Sequence, residues 1–217
     1  MTLSEYILYS DTRIAICNKP AGMPLVPDQS GDLSLLTCLA QDMGAIYPAH
    51  RIDRPVSGIA LFAKDREAAA FLSAQFSERR AQKTYWALTR NAPETGQGQL
   101  LHYIAEGRGN RSVALSHPAP HAREALLTYR IAARGERFAL WEIAPHTGRK
   151  HQIRAQLAAI GCPIKGDVKY GDRRANPDRS IALHARSLEF HHPETGLPMR
   201  LEAPPPTTEP LWRILGA

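Results

Sequence analysis

Cysteine is scarce in this chain of 217 residues, which contains only Cys17, Cys38 and Cys162. None of the three belongs to a Cys-x-x-Cys pair, and an odd, scattered set does not make a disulfide framework. A disulfide-stapled secreted protein is therefore disfavoured, and a reducing compartment, the cytoplasm, is predicted. Each cysteine is expected to be a small core residue and not a catalytic thiol.

Long apolar stretches are also missing. No run approaches the roughly 20 residues that a membrane-spanning helix needs. Residues 1–10 lack the basic start and the apolar run of a secretory signal. We expect neither a membrane protein nor a secreted one.

Nucleotide-binding and metal-binding motifs are absent as well. The sequence contains no Walker loop and no Gly-x-Gly-x-x-Gly, and its nine histidines are poorly spaced for metal ligands. His191 and His192, for example, are adjacent in a predicted turn. We interpret all nine as satisfied surface or turn residues, and we predict no metal and no cofactor.

Positive charge is what the chain has in excess. Lysine and arginine number 27 against 21 acidic residues, which gives a formal net charge of +6. This balance favours an anionic partner such as nucleic acid, since guanidinium groups pair with phosphate and stack on bases. A mildly basic protein without an anionic partner is the alternative. The hydrophobic share of 43% is ordinary for a packed globular core.

Hydrophobic periodicity and turn residues predict a mainly antiparallel α+β fold. Asp65 is placed to cap a helix. Gly161 is placed to end another, in which Ile153, Leu157 and Ile160 share one apolar face. Gly135 is placed to join two strands as a hairpin. Strands are predicted over residues 13–17, 59–63, 85–89, 123–133, 138–144, 181–190 and 199–202. Helices are predicted over residues 33–43 and 65–80, from about 150 to 160, and from 209.

Residues 50–58 read His-Arg-Ile-Asp-Arg-Pro-Val-Ser-Gly and carry the most informative carboxylate. Asp53 follows Arg51 and precedes Arg54, on a turn just before a strand. Neighbouring positive charge keeps such a carboxylate ionised, so it is better suited to act as a nucleophile than as a proton donor. A surface ion-pair cluster, which usually contributes little to stability, is the alternative that these residues alone leave open.

Three further stretches follow in order. Residues 83–87 read Lys-Thr-Tyr-Trp-Ala, and residues 147–154 read Thr-Gly-Arg-Lys-His-Gln-Ile-Arg. The latter lead through a predicted helix to residues 161–171, which include Gly-Cys-Pro-Ile-Lys-Gly-Asp and Tyr-Gly. The last stretch begins with Leu-His-Ala at residues 183–185 and runs to the Thr-Gly of residues 195 and 196.

These four motifs, in this order, resemble those of the RluA-type pseudouridine synthases over about residues 13–203. The family pattern around the carboxylate is His-Arg-Leu-Asp-Arg-x-Thr-Ser-Gly. This chain departs from the family at Ile52, Val56 and Lys150, where Leu, Thr and Thr are usual. None of the three replaces the carboxylate itself, and Lys150 adds a charge that is suited to contact phosphate.

The resemblance implies one catalytic domain spanning residues 1–217, without the S4-like RNA-binding domain that many members carry before the core. The implied fold has a central mixed, mainly antiparallel sheet with flanking helices and an RNA cleft. The expected partner is RNA, with neither DNA nor a membrane, and the chain is expected to be a monomer.

The resemblance also implies residue roles. Asp53 is expected to be the catalytic residue, acting as a nucleophile or as the base that labilises the glycosidic bond. Arg154 is expected to bind at the site by pairing with Asp53, and Tyr85 to stack on the flipped uracil. Arg51 is expected to occupy the space that the base leaves. Leu183, in the last motif, is expected to bind substrate.

The predicted function is isomerisation of a specific uridine to pseudouridine in ribosomal or transfer RNA. An isomerisation transfers no external group, so no metal or cofactor is expected. One alternative is a non-catalytic RNA-binding or ribosome-assembly protein on the same fold. Another is a glycosidase, which needs a second acid; the nearest, Asp167, is interpreted as a turn residue. Target choice is assigned to core loops, with residues 108–121 as the candidate.

Overall fold

The structure, a computed structural model, describes residues 5–216. Two compact units form, one from residues up to Lys83 together with His184–Pro206, the other from Thr84–Leu183 together with residues from Thr207 onward. Residues 1–4 and 217, which the predicted domain and the signal-peptide analysis included, lie outside the described residues. The extent of the domain stays a prediction.

Strands outnumber helices. The strands are β1 (Ile7–Ser10), β2 (Ile14–Lys19), β3 (Tyr47–Pro48), β4 (Ser57–Ala63), β5 (Gln82–Thr89), β6 (Gln97–Glu106), β7 (Ser112–Leu115), β8 (Arg123–Arg134), β9 (Ala139–Pro145), β10 (Leu183–His191) and β11 (Pro198–Glu202). The helices are α1 (Leu35–Met43), α2 (Arg66–Ser77), α3 (Gln152–Ala159) and α4 (Leu211–Ile214), with a 3₁₀ turn at Val168–Tyr170.

The first unit holds a mixed sheet centred on β4. β2 pairs antiparallel with β4 and with β1, and β3 also pairs antiparallel with β4. β10 runs parallel to β4, and β11 returns antiparallel to β10. Every residue of β4 is buried, so this strand forms the centre of the unit and carries the 50–58 motif at its start.

Side-chain caps start the two helices of the first unit. The hydroxyl of Ser34 accepts a hydrogen bond from the Thr37 amide at the start of α1. The carboxylate of Asp65 accepts one from the Ala68 amide at the start of α2, which confirms the predicted cap. α2 ends at Ser77, earlier than predicted, because Arg79 takes a left-handed conformation with φ 60°.

The second unit holds an antiparallel sheet in the order β5-β9-β8-β6-β7. The predicted hairpin is confirmed as β8 and β9, which are closed by a hydrogen bond of 2.8 Å from the Gly135 amide to the Phe138 carbonyl. Residues 108–121 were expected to be loop throughout, which is wrong for β7. β7 has only four residues. They adopt the extended conformation because they pair with β6, and their own sequence does not indicate a strand.

The predicted helix after Thr147 is confirmed as α3, and Gly161 follows it with φ +74°. Its residues 152–157 are all buried, including three polar ones. The prediction of a single apolar face therefore understates the burial. The α+β class and the mixed, mainly antiparallel pairing are confirmed, since β4 with β10 is the parallel pair among those named.

Candidate active site

The predicted catalytic residue lies on a tight turn at the entrance to β4. The Val56 amide donates to the Asp53 carbonyl at 3.0 Å, which closes the turn, and the buried strand begins at Ser57. Asp53 is half-buried and Arg51 is exposed. The turn places the carboxylate at the edge of a rigid element, where its position is set by the backbone of β4.

A buried lysine forms hydrogen bonds with the backbone of this turn. Lys19, the last residue of β2, has a fully buried side chain. Its ammonium group donates to the carbonyls of Pro20 and Met23 at 2.9 Å and of Arg54 at 3.2 Å. Burial lowers the pKa of Lys19 to about 7, and the charge of Asp53 opposes that fall. Lys19 thus places a positive charge near Asp53 and fixes the backbone next to it.

Arg54 is directed to a different loop. Its guanidinium donates to the Gly22 carbonyl and to the Ser30 hydroxyl, both at 2.8 Å. It also pairs with the carboxylates of Asp28 and Asp32. Arg54, one of the two arginines that flank Asp53 in the sequence, therefore ties the 22–32 loop to the turn.

Gly58 allows the motif to pack closely against β10. Its φ is +114°, and a Cβ there would lie 2.3 Å from the Ala185 carbonyl oxygen and 2.5 Å from the Ala185 nitrogen. The parallel register pairs Gly58 with Ala185 and Ser57 with His184. Only a glycine fits both the backbone conformation and the close approach.

A buried hydrogen-bond chain extends from the motif into β10. The Ser57 hydroxyl lies 2.9 Å from Nδ1 of His184, whose Nε2 lies 2.9 Å from the Ala203 carbonyl. Because a carbonyl only accepts, Nε2 carries the proton and Nδ1 accepts from the hydroxyl. Burial lowers the pKa of His184 to about 4, so the ring is neutral near pH 7.

Not every histidine is a surface or turn residue, which corrects that interpretation. His184 is fully buried in a strand. His50, at the start of the motif, accepts from the Leu61 amide at 3.2 Å and packs against Phe76 with ring centroids 5.0 Å apart. Burial lowers the pKa of His50 to about 3. Both rings therefore act as neutral packing and hydrogen-bonding groups.

In the second unit, Arg154 is buried in an ion pair. The side chain of Arg154 is 5% exposed and that of Asp167 is 1% exposed. Nε of Arg154 donates to one carboxylate oxygen at 2.7 Å, and Nη2 donates to the other at 2.9 Å. Arg154 therefore does not lie on a solvated helix face. The predicted pairing of Arg154 with Asp53 stays a prediction.

Asp167 is therefore more than a turn residue. It stands at the start of the 3₁₀ turn, as its motif indicated, but both of its carboxylate oxygens accept hydrogen bonds from Arg154. A carboxylate engaged in this way is not placed as the second acid of a glycosidase. The glycosidase alternative loses its nearest candidate residue.

Two further motif residues lock the loop before α3. The Gln152 side-chain oxygen accepts from the Thr147 hydroxyl at 2.8 Å and from the Arg149 amide at 2.9 Å. The Leu126 amide of β8 in turn donates to the Thr147 hydroxyl oxygen at 3.0 Å. The loop is thus tied both to its own helix and to the adjacent sheet, which holds the start of α3 and hence Arg154.

Tyr170 completes the surroundings of Arg154. Its hydroxyl accepts from the Ser112 amide at 2.8 Å and lies 3.0 Å from Nδ1 of His151. The guanidinium carbon of Arg154 lies 4.8 Å from the centre of the Tyr170 ring, and that of Arg111 lies 5.2 Å from it. The ring therefore contacts two cations, an arrangement that the negative face of an aromatic ring favours.

The two remaining predicted binding residues are buried strand residues. Tyr85, in β5, pairs with Ile143 of β9 and is 8% exposed. Leu183, the first residue of β10, is 3% exposed. Their roles toward substrate stay predictions.

Neither a membrane-spanning helix nor a metal-binding cluster occurs in the described part of the chain. Within residues 5–216 no helix has both the length and the apolar character needed to cross a bilayer. Nor does any group of three or more His, Cys, Asp or Glu side chains within that range come together as a metal site requires.

Comparison with known proteins assigns most of the chain to one family. Residues 13–159 match the family described as RNA pseudouridylate synthase. The chain belongs to this family. The structure of human RNA Pseudouridylate Synthase Domain Containing 4 is similar with a TM-score of 0.78 and 26% identity, covering 95% of this chain and 90% of that chain. The predicted family and fold are confirmed.

Two curated members of the pseudouridylate synthase family illustrate the range of relatives. The chain is 32% identical to the tRNA pseudouridine synthase C of Pectobacterium carotovorum subsp. carotovorum, over 91% of this chain and 58% of the relative. It is 32% identical to the ribosomal large subunit pseudouridine synthase C of Vibrio vulnificus, over 93% of this chain and 66% of the relative. The chain thus spans less than two thirds of the length of each.

For this pseudouridylate synthase family member, sequence reasoning missed the residues that support the motifs. Lys19 had no predicted role, although a lysine directly after an apolar strand and before proline is a detectable signal. Asp167 was noted without a partner. Their burial and contacts depend on chain segments far away in sequence, so only the fold assigns their roles.

Proposed function

We propose that this chain is an RNA pseudouridine synthase that isomerises a specific uridine. The observation that carries the proposal is the Asp53 turn in a chain of this family, anchored by Lys19 and continuous with the buried strand β4. The names of the relatives support transfer RNA or ribosomal RNA as the substrate class. We place the reaction in the cytoplasm and expect a monomer.

The reaction breaks the uridine N1–C1′ bond, rotates the base and forms a C5–C1′ bond. The proton at C5 is lost and N1 gains one, so product and substrate contain the same atoms. The carboxylate of Asp53 serves this chemistry by attacking the nucleoside or by acting as the base that labilises the glycosidic bond. Neither route needs a redox group, a metal or a second substrate.

The same motif resemblance supports roles for four binding residues. We assign to Tyr85 stacking on the flipped uracil, a contact that contributes roughly 1–3 kcal/mol per base. Arg51, Arg154 and Leu183 are assigned to substrate binding. Extruding the base costs a few kcal/mol, which such contacts offset.

The test of the proposal is Asp53→Asn. The amide has nearly the same shape but acts neither as nucleophile nor as base, so pseudouridine formation should fall by at least about 10³-fold. RNA affinity and the melting temperature should change little. The measurement is pseudouridine mapping across stable RNAs incubated with the two proteins, and it also identifies the target. Activity within tenfold of the unmodified chain would exclude Asp53 as the catalytic residue.

An assay of the unmodified chain distinguishes a pseudouridine synthase from a protein that only binds RNA. An RNA-binding or ribosome-assembly protein would bind RNA without forming pseudouridine in any stable RNA. The assay should use a pre-folded stem-loop substrate with and without EDTA, so that metal-dependent RNA folding does not interfere. The proposal expects equal rates in both conditions, and a metal requirement for the chemical step would contradict it.

A further inference from the structure

Two lysines of the second unit bind Asn110 in the β6–β7 turn, and an arginine follows this residue in the chain. The turn is tight, because the Gly107 amide donates to the Arg111 carbonyl at 2.9 Å. At its tip, the ammonium group of Lys150 donates to the side-chain oxygen of Asn110. The ammonium group of Lys169 donates to the backbone carbonyl of the same residue at 2.9 Å. Two ammonium groups are thus held at a single residue.

Arg111 adds a third positive charge next to Asn110. Its guanidinium carbon lies 5.2 Å from the centre of the Tyr170 ring. The ring is itself fixed by the hydrogen bond from the Ser112 amide to its hydroxyl. Packing against the aromatic ring therefore holds the guanidinium in place and does not neutralise its charge. We refer to Arg111, Lys150 and Lys169 as the Asn110 cation cluster.

Within residues 5–216, no carboxylate forms an ion pair with this cluster. Among the ion pairs of residues 5–216, none involves the side chains of the three cations. The nearby Asp167 is bound through both oxygens to Arg154. Partial burial, followed by the charges of Arg154, Lys150 and Arg111, lowers the pKa of Lys169, and Asp167 opposes this only in part. The local field is positive and favours an anion.

The cluster also has hydrogen-bond donors to spare. An ammonium group has three donors, and each lysine uses one of them on Asn110. Arg111 and Lys150 are exposed, and Lys169 is half-buried. Spare donors, excess positive charge and access to solvent together are the properties of a phosphate-binding site.

We propose that the Asn110 cation cluster binds a phosphate group of the RNA backbone. The inference rests on the proposed function for its ligand, and it deepens that function by assigning a contact outside the catalytic motif. Lys150 is a departure from the family pattern, so the site distinguishes this chain from members with threonine at that position. Phosphate contacts position an RNA without reading its bases.

The test measures RNA affinity in the inactive Asp53→Asn background, so that turnover does not alter the ligand. The probe is a short fluorescein-labelled stem-loop RNA with uridines in the loop, titrated at several salt concentrations. Lys150→Thr with Lys169→Gln should weaken binding about tenfold at low salt. The slope of log affinity against log salt should fall by about 0.7–0.9 for each phosphate that the variant no longer neutralises.

The matched control removes two arginines near the β8–β9 turn: Arg134, the last residue of β8, and Arg137 in the turn itself. Arg134 donates to backbone carbonyls, much as Lys169 does, and Arg137 is exposed. β8 begins at Arg123, which pairs with Ile104 of β6 close to the β6–β7 turn. Arg134 lies at the other end of β8, roughly 35 Å from Arg123 along the strand. Arg134→Gln with Arg137→Gln should leave the salt slope unchanged and the affinity within about twofold.

The outcomes are distinct. Equal affinities and slopes for the cluster variant and the control would overturn the phosphate site. The double variant could have a lower melting temperature than the unmodified chain. In that case Lys150→Thr alone, a change at an exposed residue, must still lower the slope of log affinity against log salt. If it does not, the phosphate site is wrong. Cluster-dependent binding by a chain that forms no pseudouridine would overturn the proposed function and keep the site. Pseudouridine formation without cluster dependence would overturn the site alone.

Discussion

Residues 51–58 and residues 147–171 both carry family motifs, but they are held in place by different means. In the first region, Lys19 binds three backbone carbonyls, and Gly58 lets two strands approach. In the second region, motif side chains bind one another, as in the buried pair of Arg154 with Asp167. Backbone acceptors and strand pairing are prominent in the first region, and a buried charge pair is prominent in the second.

The difference indicates what each region has to position. A catalytic carboxylate on a turn needs a rigidly held backbone. The hydrogen bonds from Lys19 to backbone carbonyls and the pairing of β4 with β10 provide it. A buried guanidinium needs a compensating charge, because an ion without one is strongly disfavoured away from water. Substitutions should therefore act through steric fit in the first region and through electrostatics in the second.

Gly58→Ala is expected to have the largest effect on stability. A methyl group there would lie 2.3 Å from the Ala185 carbonyl oxygen, and the φ of +114° is unfavourable for alanine. Relieving this clash requires β4 and β10 to separate. We expect a decrease of about 3 kcal/mol or more in the free energy of unfolding, measured by denaturant titration.

The control for this change is Gly148→Ala, a glycine whose added Cβ would meet no atom within 4 Å. It should shift the denaturation midpoint only slightly. Similar decreases for the two alanine variants would show that the close approach of β4 and β10 does not limit the first region.

Asp167→Asn is expected to have the next largest effect. The change removes the charge that compensates Arg154 at a site where both side chains are almost fully buried. Breaking such a pair by neutralising one partner costs about 3 kcal/mol. Thermal and denaturant unfolding measure the decrease in stability.

Glu142→Gln provides a matched comparison within the same unit. Arg130 binds Glu142 through the same two-pronged geometry, with donor–acceptor distances of 3.0 and 2.9 Å, but the two side chains are 56% and 33% exposed. Exposed pairs contribute at most about 1 kcal/mol. Equal effects of the Asp167 and Glu142 changes would contradict the role of burial in the second region.

Lys19→Met tests the first region through the pH dependence of its free energy of unfolding. Folded protein releases the Lys19 proton near pH 7, whereas the unfolded chain keeps it until near pH 10.5. Between these values the unfolded state binds more protons, so stability conferred through this group rises with pH. The free energy of unfolding of the unmodified chain, minus that of Lys19→Met, should increase from about pH 7 to about pH 9.5.

The slope of that difference is bounded by about 1.4 kcal/mol per pH unit for one proton. Subtracting the variant removes the contributions of other titrating groups. Parallel stability curves for the two proteins would show that Lys19 keeps an ordinary pKa, and that its burial costs less than the structure indicates.

Local pattern was sufficient for elements whose signals lie within a few residues. The Asp65 cap, the Gly161 helix end and the Gly135 hairpin all depend on neighbours in sequence, and each is present as predicted. It was insufficient for β7, whose four residues become a strand only by pairing with β6. Short strands of this kind take their conformation from a partner and not from their own residues.

The sequence by itself determined the family, the order of the motifs and the identity of the candidate carboxylate, because these depend on residue types at fixed spacing. The tertiary structure decided the partners: that Lys19 is buried behind Asp53, that Arg54 binds the 22–32 loop, and that Asp167 compensates Arg154. Burial and charge pairing arise between segments distant along the chain. A local sequence pattern indicates neither burial nor charge pairing between distant segments, so only the fold assigns them.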